Sequence, residues 1–174
     1  VSAMRPYVKR SYQAPRADML PEIMRRAYET MLAGKPGPVH LDVPFNVFVE
    51  EAEDAEEDPK DRRSVVPLRG QGDPAAIEKA LDLIAGSERP LVLAGQGVTA
   101  AAAQPEILAF SELLNLPVAT TPQGKGAIDE YHANSLGPVG RDGTYPANRA
   151  SRGCDVLLAL GTRFGDRGTS GWVP

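Results

Sequence analysis

The chain has 174 residues, of which 42% are hydrophobic and 24% are charged, and its formal net charge is -4. Such a composition excludes a disordered tail and is typical of a globular chain with room for one ordinary core or two smaller ones. The charge is mild and no basic stripe is interleaved with aromatic residues, so nucleic acid is excluded as a predicted partner.

The first predicted element is an amphipathic helix over Leu20 to Ala33, because apolar residues recur there at helical spacing with charged residues between them. Asp18 can cap this helix and Gly34 can end it. After a stretch rich in Pro and Gly, the run Val39 to Val43 predicts a strand, which Pro44 terminates.

Nearly every residue from Glu50 to Arg63 is charged or small, with acidic residues first and basic residues last. A solvated linker is expected to have this composition. We therefore predict the end of one domain over residues 1–49, a linker over 50–71 and a second domain over 72–174.

The second domain begins with a predicted helix, for which Asp73 is the N-cap, Pro74 lies in the first turn and Gly86 is the stop. The apolar stripe of this helix consists of Ile77, Ala80, Leu81 and Ile84.

Strands and helices then alternate. The apolar run Pro90 to Ala94 predicts a strand, and after a Gly-rich turn come a helix ending near Leu114 and a strand over Leu116 to Ala119. A helix from Tyr145 to Arg152 leads into Asp155 to Leu160, whose continuous apolar run is typical of a parallel strand buried on both faces. This alternation predicts an open, parallel, Rossmann-like α/β sheet.

Ligands of such a sheet bind beyond the carboxyl ends of its strands, so the residues after each strand are the candidates. After the first strand comes Gly95-Gln96-Gly97, where missing side chains would let the backbone approach a ligand and helix amides could meet a phosphate. A plain tight turn is the alternative, because the third glycine of the dinucleotide fingerprint is absent.

The next two strands are followed by richer segments. Residues 120–126 offer hydroxyls, an amide and two glycines, and residues 161–169 put Arg163 and Arg167 at a strand end. The planar guanidinium group suits phosphate or carboxylate and can stack on a flat ring. Alternatively, Asp166 pairs with one of these arginines in a structural ion pair.

No residue of the chain is predicted to be catalytic or to bind a metal. His40 and His132 are the only histidines and lie far apart without Cys partners at ligand spacing. Cys154 precedes a predicted buried strand, where a thiol is usually an inert small hydrophobe.

The cysteine count and the apolar runs also predict the location. A single cysteine cannot form an internal disulfide, and no apolar run approaches the roughly 20 residues that span a bilayer. We therefore expect a cytoplasmic protein with no membrane partner. Because the sequence opens without Met or an apolar signal core, we expect it to be an internal piece of a longer protein.

Three motifs, in order along the chain, resemble one enzyme family. The sequence KPGPVHLDVP over residues 35–44 resembles the signature that closes the pyrimidine-binding domain of thiamine-diphosphate enzymes. Residues 121–155 are similar to the central domain of acetolactate synthases, and LGTRFGDR over residues 160–167 looks like a further motif of that domain. Together these motifs cover nearly the whole chain.

This resemblance implies a function for the longer protein. Acetolactate synthases condense two 2-oxoacids with loss of carbon dioxide through a carbanion of thiamine diphosphate, which is bound with Mg, and their central domain holds FAD that takes no part in net redox. Their active sites form between subunits, which implies a homodimer or homotetramer. Residues 1–49 would then end a pyrimidine-binding α/β domain, and residues 72–174 would be the first part of a central domain.

The resemblance also assigns candidate cofactor-binding residues, among which Arg163 is the strongest because its flat charged group suits the flavin or its pyrophosphate. The full set that would lie along FAD is Gly95, Gln96, Gly97, Thr121, Pro122, Gly140, Arg141, Gly143, Gly161, Thr162, Arg163, Asp166 and Arg167.

Flavin-free alternatives stay open because Gln96, Asp142 and Gly165 depart from the acetolactate synthase pattern. Benzoylformate decarboxylase, sulfoacetaldehyde acetyltransferase and the trihydroxycyclohexanedione hydrolase share this fold without FAD. A nicotinamide-dependent oxidoreductase would need a fuller glycine fingerprint, and a non-catalytic nucleotide-binding module is the remaining rival. The family's activating glutamate and its Gly-Asp-Gly to Asn-Asn metal motif do not occur in this sequence.

Overall fold

The computed structural model describes residues 2–52 and 70–172. The chain divides into two compact units, residues 1–71 and 72–174. Most of the predicted linker, residues 53–69, lies outside the described residues. Among those described, no helix is long and apolar enough to cross a membrane.

The first unit contains two parallel strands, β1 (Arg10–Gln13) and β2 (Val39–Asp42), joined by helix α1 (Leu20–Leu32) and followed by the short helix α2 (Phe45–Phe48). Helix α1 buries Ile23 and Ala27. Strand β1 was not predicted, because the sequence RSYQ contains neither an apolar run nor a clear alternation.

The predicted N-cap of α1 is wrong. Helix α1 begins after Met19, which makes no side-chain cap, and the Asp18 carboxylate instead accepts a hydrogen bond from Arg16 Nε over 2.9 Å. The predicted end of the helix is close to the observed one, since Ala33 is the C-cap and Gly34 follows with a φ of 57°. A left-handed residue in this place is the usual way to stop a helix.

The second unit opens with helix α3 (Pro74–Ala85), whose cap is confirmed, because the Asp73 side chain accepts a hydrogen bond from Ala75 N over 3.1 Å. The predicted apolar stripe is buried only at its C-terminal end. Ile84 is 6% exposed, whereas Ile77 is 51% exposed and Leu81 is 42% exposed. Packing in the described chain therefore involves the last turn of α3 more than the first.

Four parallel strands form the sheet of the second unit in the order β5-β4-β3-β6, which confirms the predicted open parallel α/β fold. The strands are β3 (Pro90–Ala94), β4 (Val118–Thr120), β5 (Ser135–Pro138) and β6 (Val156–Leu160), and the helices between and after them are α4 (Gln96–Ala100), α5 (Gln104–Leu114), α6 (Tyr145–Gly153) and α7 (Asp166–Thr169).

Both faces of the sheet carry packed helices. On one face, α3, α4 and α5 contribute Ile84, Val98 and Ile107 to the main core cluster. On the other, Ala147 of α6 packs in a smaller cluster with Leu91 and other buried residues.

Strand β6 is not buried on both faces, although the sequence predicted that it would be. Its residues alternate between half-buried and exposed, and Leu157 is 39% exposed. Residue Leu157 pairs with Leu91 of β3 and so faces the same side of the sheet. The difference arises because β6 is an outer strand of the described sheet, where its apolar sequence is covered on one face only.

Candidate functional site

Parallel strands place the candidate segments together at the carboxyl end of the sheet of the second unit. These segments are the β3 loop (95–97), the β4 loop (121–124), the β5 loop (139–143) and the β6 loop (161–168). The chain proceeds from β3 to β4 and β5 on one side and then crosses to β6 on the other. Ligands bind at such a reversal of strand order, which here lies between the β3 and β6 loops.

The β3 and β6 loops touch through their backbones. Gly97 N donates to Gly161 O over 2.9 Å, and Gly95 N donates to Leu160 O over 2.8 Å. A Cβ atom on Gly97 would lie 2.6 Å from the Cα of Gly161, and one on Gly95 would collide with the carbonyl of Gly161. The two glycines, which the sequence suggested could approach a phosphate, therefore permit contact between the β3 and β6 loops. The amide of Gly97 already donates its hydrogen bond to Gly161.

An apolar cavity of about 370 Å³ opens beside this contact. It is lined in part by Val98, Phe110 and Leu160, with Glu106 as its charged lining residue. Its walls are chemically suited to a flat apolar group and not to a phosphate, which needs donors.

The β4 loop is held by its own hydroxyl. Thr121 is 8% exposed, and its Oγ1 accepts a hydrogen bond from Gly124 N over 3.0 Å. A side chain at Gly124 would collide with the carbonyl of Ala94 at the end of β3. Pro122 is half-buried and starts a turn of 3-10 helix. Thr121 and Pro122 thus lie at the carboxyl end, with the hydroxyl already engaged by the main chain.

The β5 loop is fixed by a residue that was not among the predicted site residues. Asn148 of α6 accepts from Gly140 N over 2.8 Å and donates from its Nδ2 to Gly140 O over 2.9 Å. Gly143 N also donates to Gly140 O, over 3.0 Å. In the sequence, Asn148 is a polar residue one turn after the predicted start of α6 and lies within the stretch that resembles the acetolactate synthase central domain, but neither feature identifies the loop that it contacts.

The β5 and β6 loops are also joined. Arg141 N donates to Arg167 O over 3.2 Å. The guanidinium group of Arg141 lies 3.8 Å from Asp166 Oδ2, with both side chains mostly exposed. Asp166 therefore pairs across the two loops and not with either arginine of its own segment, and an exposed pair of this kind contributes little stability.

Arg163 and Arg167 project from the β6 loop as exposed side chains. Within residues 2–52 and 70–172, neither guanidinium group takes part in an ion pair. Between them, Phe164 has a φ of 53° and donates its amide to Thr162 Oγ1 over 3.2 Å. A left-handed conformation at a bulky residue is strained, and such strain is concentrated at functional sites.

Other titratable residues give no competing centre in the described chain. Among the described residues, no group of three or more His, Cys, Asp or Glu side chains could hold a metal ion. His132 Nε2 lies 3.4 Å from Glu112, and its Nδ1 accepts from Asn134 N over 3.2 Å. Burial raises the pKa of the Cys154 thiol, which disfavours the thiolate that a nucleophile would need.

Comparison with known families shows which family the chain belongs to. The model of the thiamine pyrophosphate enzyme central domain matches residues 77–174, which include all four strands and all four loops of the second unit. The chain belongs to the thiamine pyrophosphate enzymes. Within this family, the candidate loops lie in the part of the chain that the central-domain model covers.

Relatives among the thiamine pyrophosphate enzymes are acetolactate synthase large subunits. The probable large subunit of Methanococcus aeolicus is 45% identical over 167 residues, which are 93% of this chain and 27% of that protein. The large subunit of Parasynechococcus marenigrum is 40% identical over 94% of the chain and 27% of its own length. Isozyme 3 of Escherichia coli is 31% identical over 98% of the chain and 30% of its own length.

A solved member of the family has the same fold. Benzoylformate decarboxylase from Polynucleobacter necessarius superposes with a TM-score of 0.67 at 25% sequence identity, over 93% of this chain and 30% of that enzyme. The chain therefore spans less than a third of the length of these relatives.

Proposed function

We propose that the chain is part of a thiamine-diphosphate-dependent carboligase or lyase acting on 2-oxoacids, of the acetolactate synthase type. The observation that carries this proposal is the 45% identity to an acetolactate synthase large subunit over 93% of the chain. Residues 1–49 would close a pyrimidine-binding domain, and residues 72–174 would form the first part of the central domain. Other parts of the full-length enzyme would bind thiamine diphosphate and its metal.

The proposed contribution of the second unit is to hold a dinucleotide, FAD, at the carboxyl end of its sheet. Two exposed guanidinium groups without ion-pair partners in the described chain, Arg163 and Arg167, would bind its pyrophosphate or stack on its ring. Flavin, when bound, would supply a structural group and not net redox chemistry. The apolar cavity beside Gly97 and Gly161 is compatible with the apolar ring of such a ligand.

Other features of the full-length enzyme remain predictions from the sequence. They are a 2-oxoacid substrate, a homodimer or homotetramer with active sites between subunits, and a cytoplasmic location. Sedimentation of the full-length protein tests the oligomer directly, since a stable monomer with full activity would remove the proposed shared site.

A second candidate is a flavin-free thiamine-diphosphate enzyme. The observation in its favour is the likeness to benzoylformate decarboxylase, together with Gln96, Asp142 and Gly165, which depart from the acetolactate synthase motifs. The two candidates share the fold and differ in what binds at the carboxyl end.

Two measurements on the full-length enzyme separate the candidates. We expect turnover of pyruvate to acetolactate that depends on added thiamine diphosphate and Mg, and a purified protein with flavin absorption. A colourless protein that turns over a 2-oxoacid would support the flavin-free candidate. A protein that turns over no pyruvate would contradict the acetolactate synthase candidate, and one that binds no thiamine diphosphate would contradict both and favour a non-catalytic nucleotide-binding module.

A further inference from the structure

The side chain of Asn148 makes two hydrogen bonds to a single residue of the β5 loop. Its Oδ1 accepts from Gly140 N over 2.8 Å, and its Nδ2 donates to Gly140 O over 2.9 Å. A side-chain amide can bond to a main chain in this paired way because it carries a donor and an acceptor. Two bonds fix both the position and the rotation of the Gly140 backbone, which a single bond would leave free to turn.

Gly140 requires such support. Its φ of 103° lies in a region that side chains rarely adopt, and a Cβ atom would collide with the carbonyl of Arg167. Glycine is therefore obligatory here, and glycine is also the residue with the most backbone freedom to lose. The conformation of the β5 loop must be imposed by its neighbours, and Asn148 is the side chain that holds Gly140 from the α6 side.

Helix α6 does not depend on Asn148 for its own start. The Thr144 side chain caps the helix by accepting from Ala147 N over 3.3 Å, and Ala147 is fully buried. Within the described chain, the side chain of Asn148 directs both of its hydrogen bonds to the loop. Removing this side chain should therefore affect the loop before it affects the helix.

We propose that Asn148 is a positioning residue, which holds the β5 loop in the conformation that lines the ligand site at the carboxyl end of the sheet. The inference rests on the proposed function and extends it to a residue with no direct ligand role. A loop held in its bound conformation avoids the entropy cost of ordering when a ligand arrives. Arg141, whose amide and side chain contact the β6 loop, would be oriented through this contact.

Amide hydrogen exchange of the full-length protein without added flavin tests the positioning role. In the variant Asn148→Ala, we expect residues 139–143 to exchange at least about tenfold faster, since both side-chain hydrogen bonds to Gly140 are lost. Exchange in α6 and in the β4 loop should stay unchanged. Asn148→Asp retains the acceptor for Gly140 N but turns a carboxylate oxygen toward Gly140 O in place of the donor, so this variant should also speed exchange of the loop.

The matched control is Ser151→Ala, which removes a side-chain bond within α6, from Ser151 Oγ to Asn148 O over 3.0 Å. This control should leave the β5 loop unchanged. Equal exchange of residues 139–143 in the wild type and in both Asn148 variants would overturn the inference. Faster exchange throughout α6 as well would also overturn it, because it would indicate a role in folding the helix.

A binding measurement separates this inference from the proposed function. If the wild-type protein binds FAD, Asn148→Ala should raise the Kd for FAD about tenfold while Ser151→Ala leaves it unchanged. An unchanged Kd with a loosened loop would refute the ligand role of the loop. If the wild type binds no FAD, the flavin proposal fails, and the exchange result alone decides whether Asn148 positions the loop.

Discussion

The two ends of the sheet in the second unit hold their loops by different means. At the carboxyl end, glycine backbones pack directly against each other, as Gly97 does against Gly161. At the amino end, charged side chains bind the main chain. The Asp155 carboxylate accepts from Glu88 N over 2.7 Å and from Arg89 N over 2.9 Å, and Arg89 Nε donates to Gly153 O over 2.8 Å.

This difference supports our proposal that the ligand binds at the carboxyl end, although the larger cavity lies at the other end. A cavity of about 840 Å³ lies at the amino end, against about 370 Å³ at the carboxyl end. However, the main chain engages Asp155 and Arg89 at the amino end. At the carboxyl end, Arg163 and Arg167 take part in no ion pair within the described chain, which supports the ligand site that we propose there.

Adding one methyl group at each end of the sheet should have effects of very different size. Gly97→Ala should destabilise the second unit by about 3 kcal/mol or more, since its Cβ would meet the backbone of Gly161, which cannot move aside cheaply. Gly153→Ala, at the amino end, has open space around its Cβ and should change stability by about 0.5 kcal/mol or less. Thermal unfolding of the full-length variants measures both.

Similar unfolding temperatures for Gly97→Ala and Gly153→Ala would show that the backbone contact between the β3 and β6 loops is unimportant. If Gly97→Ala gives too little folded protein to measure, Gly95→Ala tests the same contact. Its Cβ would also collide with Gly161.

The next effect concerns binding and not stability. Arg163→Ala should weaken FAD binding about tenfold to a hundredfold, as expected for the loss of one charge-assisted contact. The control Arg152→Ala removes another exposed arginine, from the last turn of α6, and should leave FAD binding unchanged. Titration of the apo enzymes with FAD, followed by flavin fluorescence, gives the Kd for FAD of the wild type and of both variants. Equal constants for wild type and Arg163→Ala would remove this residue from the site.

Local sequence signals predicted much of the sheet. Strand β3 is a dense apolar run, and helix α3 has both an Asp73 cap and a Pro74 start, so each is specified by neighbours in sequence. Strand β5 has the sequence SLGP, in which Gly137 has a φ of 82°. Such a strand is defined by pairing with β4, and no local signal reports that pairing.

The candidate site was likewise predicted from the sequence only in part. The rule that ligands bind after parallel strands was enough to select the segments containing Arg163 and Thr121. It could not reveal that Gly97 contacts Gly161 or that Asn148 holds Gly140, because these contacts join residues far apart or on different elements. The error at Asp18 has a different cause, because its carboxylate accepts a hydrogen bond from the nearby Arg16 Nε instead of capping the helix.

A smaller effect should appear at the amino end in acid. The hydrogen bond from Glu88 N, helped by that from Arg89 N, lowers the pKa of Asp155. A carboxyl group with a lowered folded-state pKa stabilises the fold above its unfolded value of about 4 and loses this contribution as the pH falls through the folded value. Asp155→Asn should therefore unfold a few degrees below the wild type at pH 7.

That gap in unfolding temperature should close as the pH falls below about 4, because wild-type Asp155 then becomes protonated as well. Thermal unfolding of both proteins between pH 7 and pH 3 measures it. A gap that stays constant over this range would mean that the carboxylate charge contributes nothing to holding the amino end.

The smallest expected effect is at Cys154, which lines the amino-end cavity. Burial raises the pKa of this thiol, so less thiolate is present at neutral pH and alkylation should be several-fold slower than for an exposed cysteine. Cys154→Ala should leave turnover of the full-length enzyme unchanged. Faster labelling of Cys154 than of the unfolded chain, or loss of turnover on its replacement, would place reactive chemistry at the amino end and reverse our assignment of the two ends.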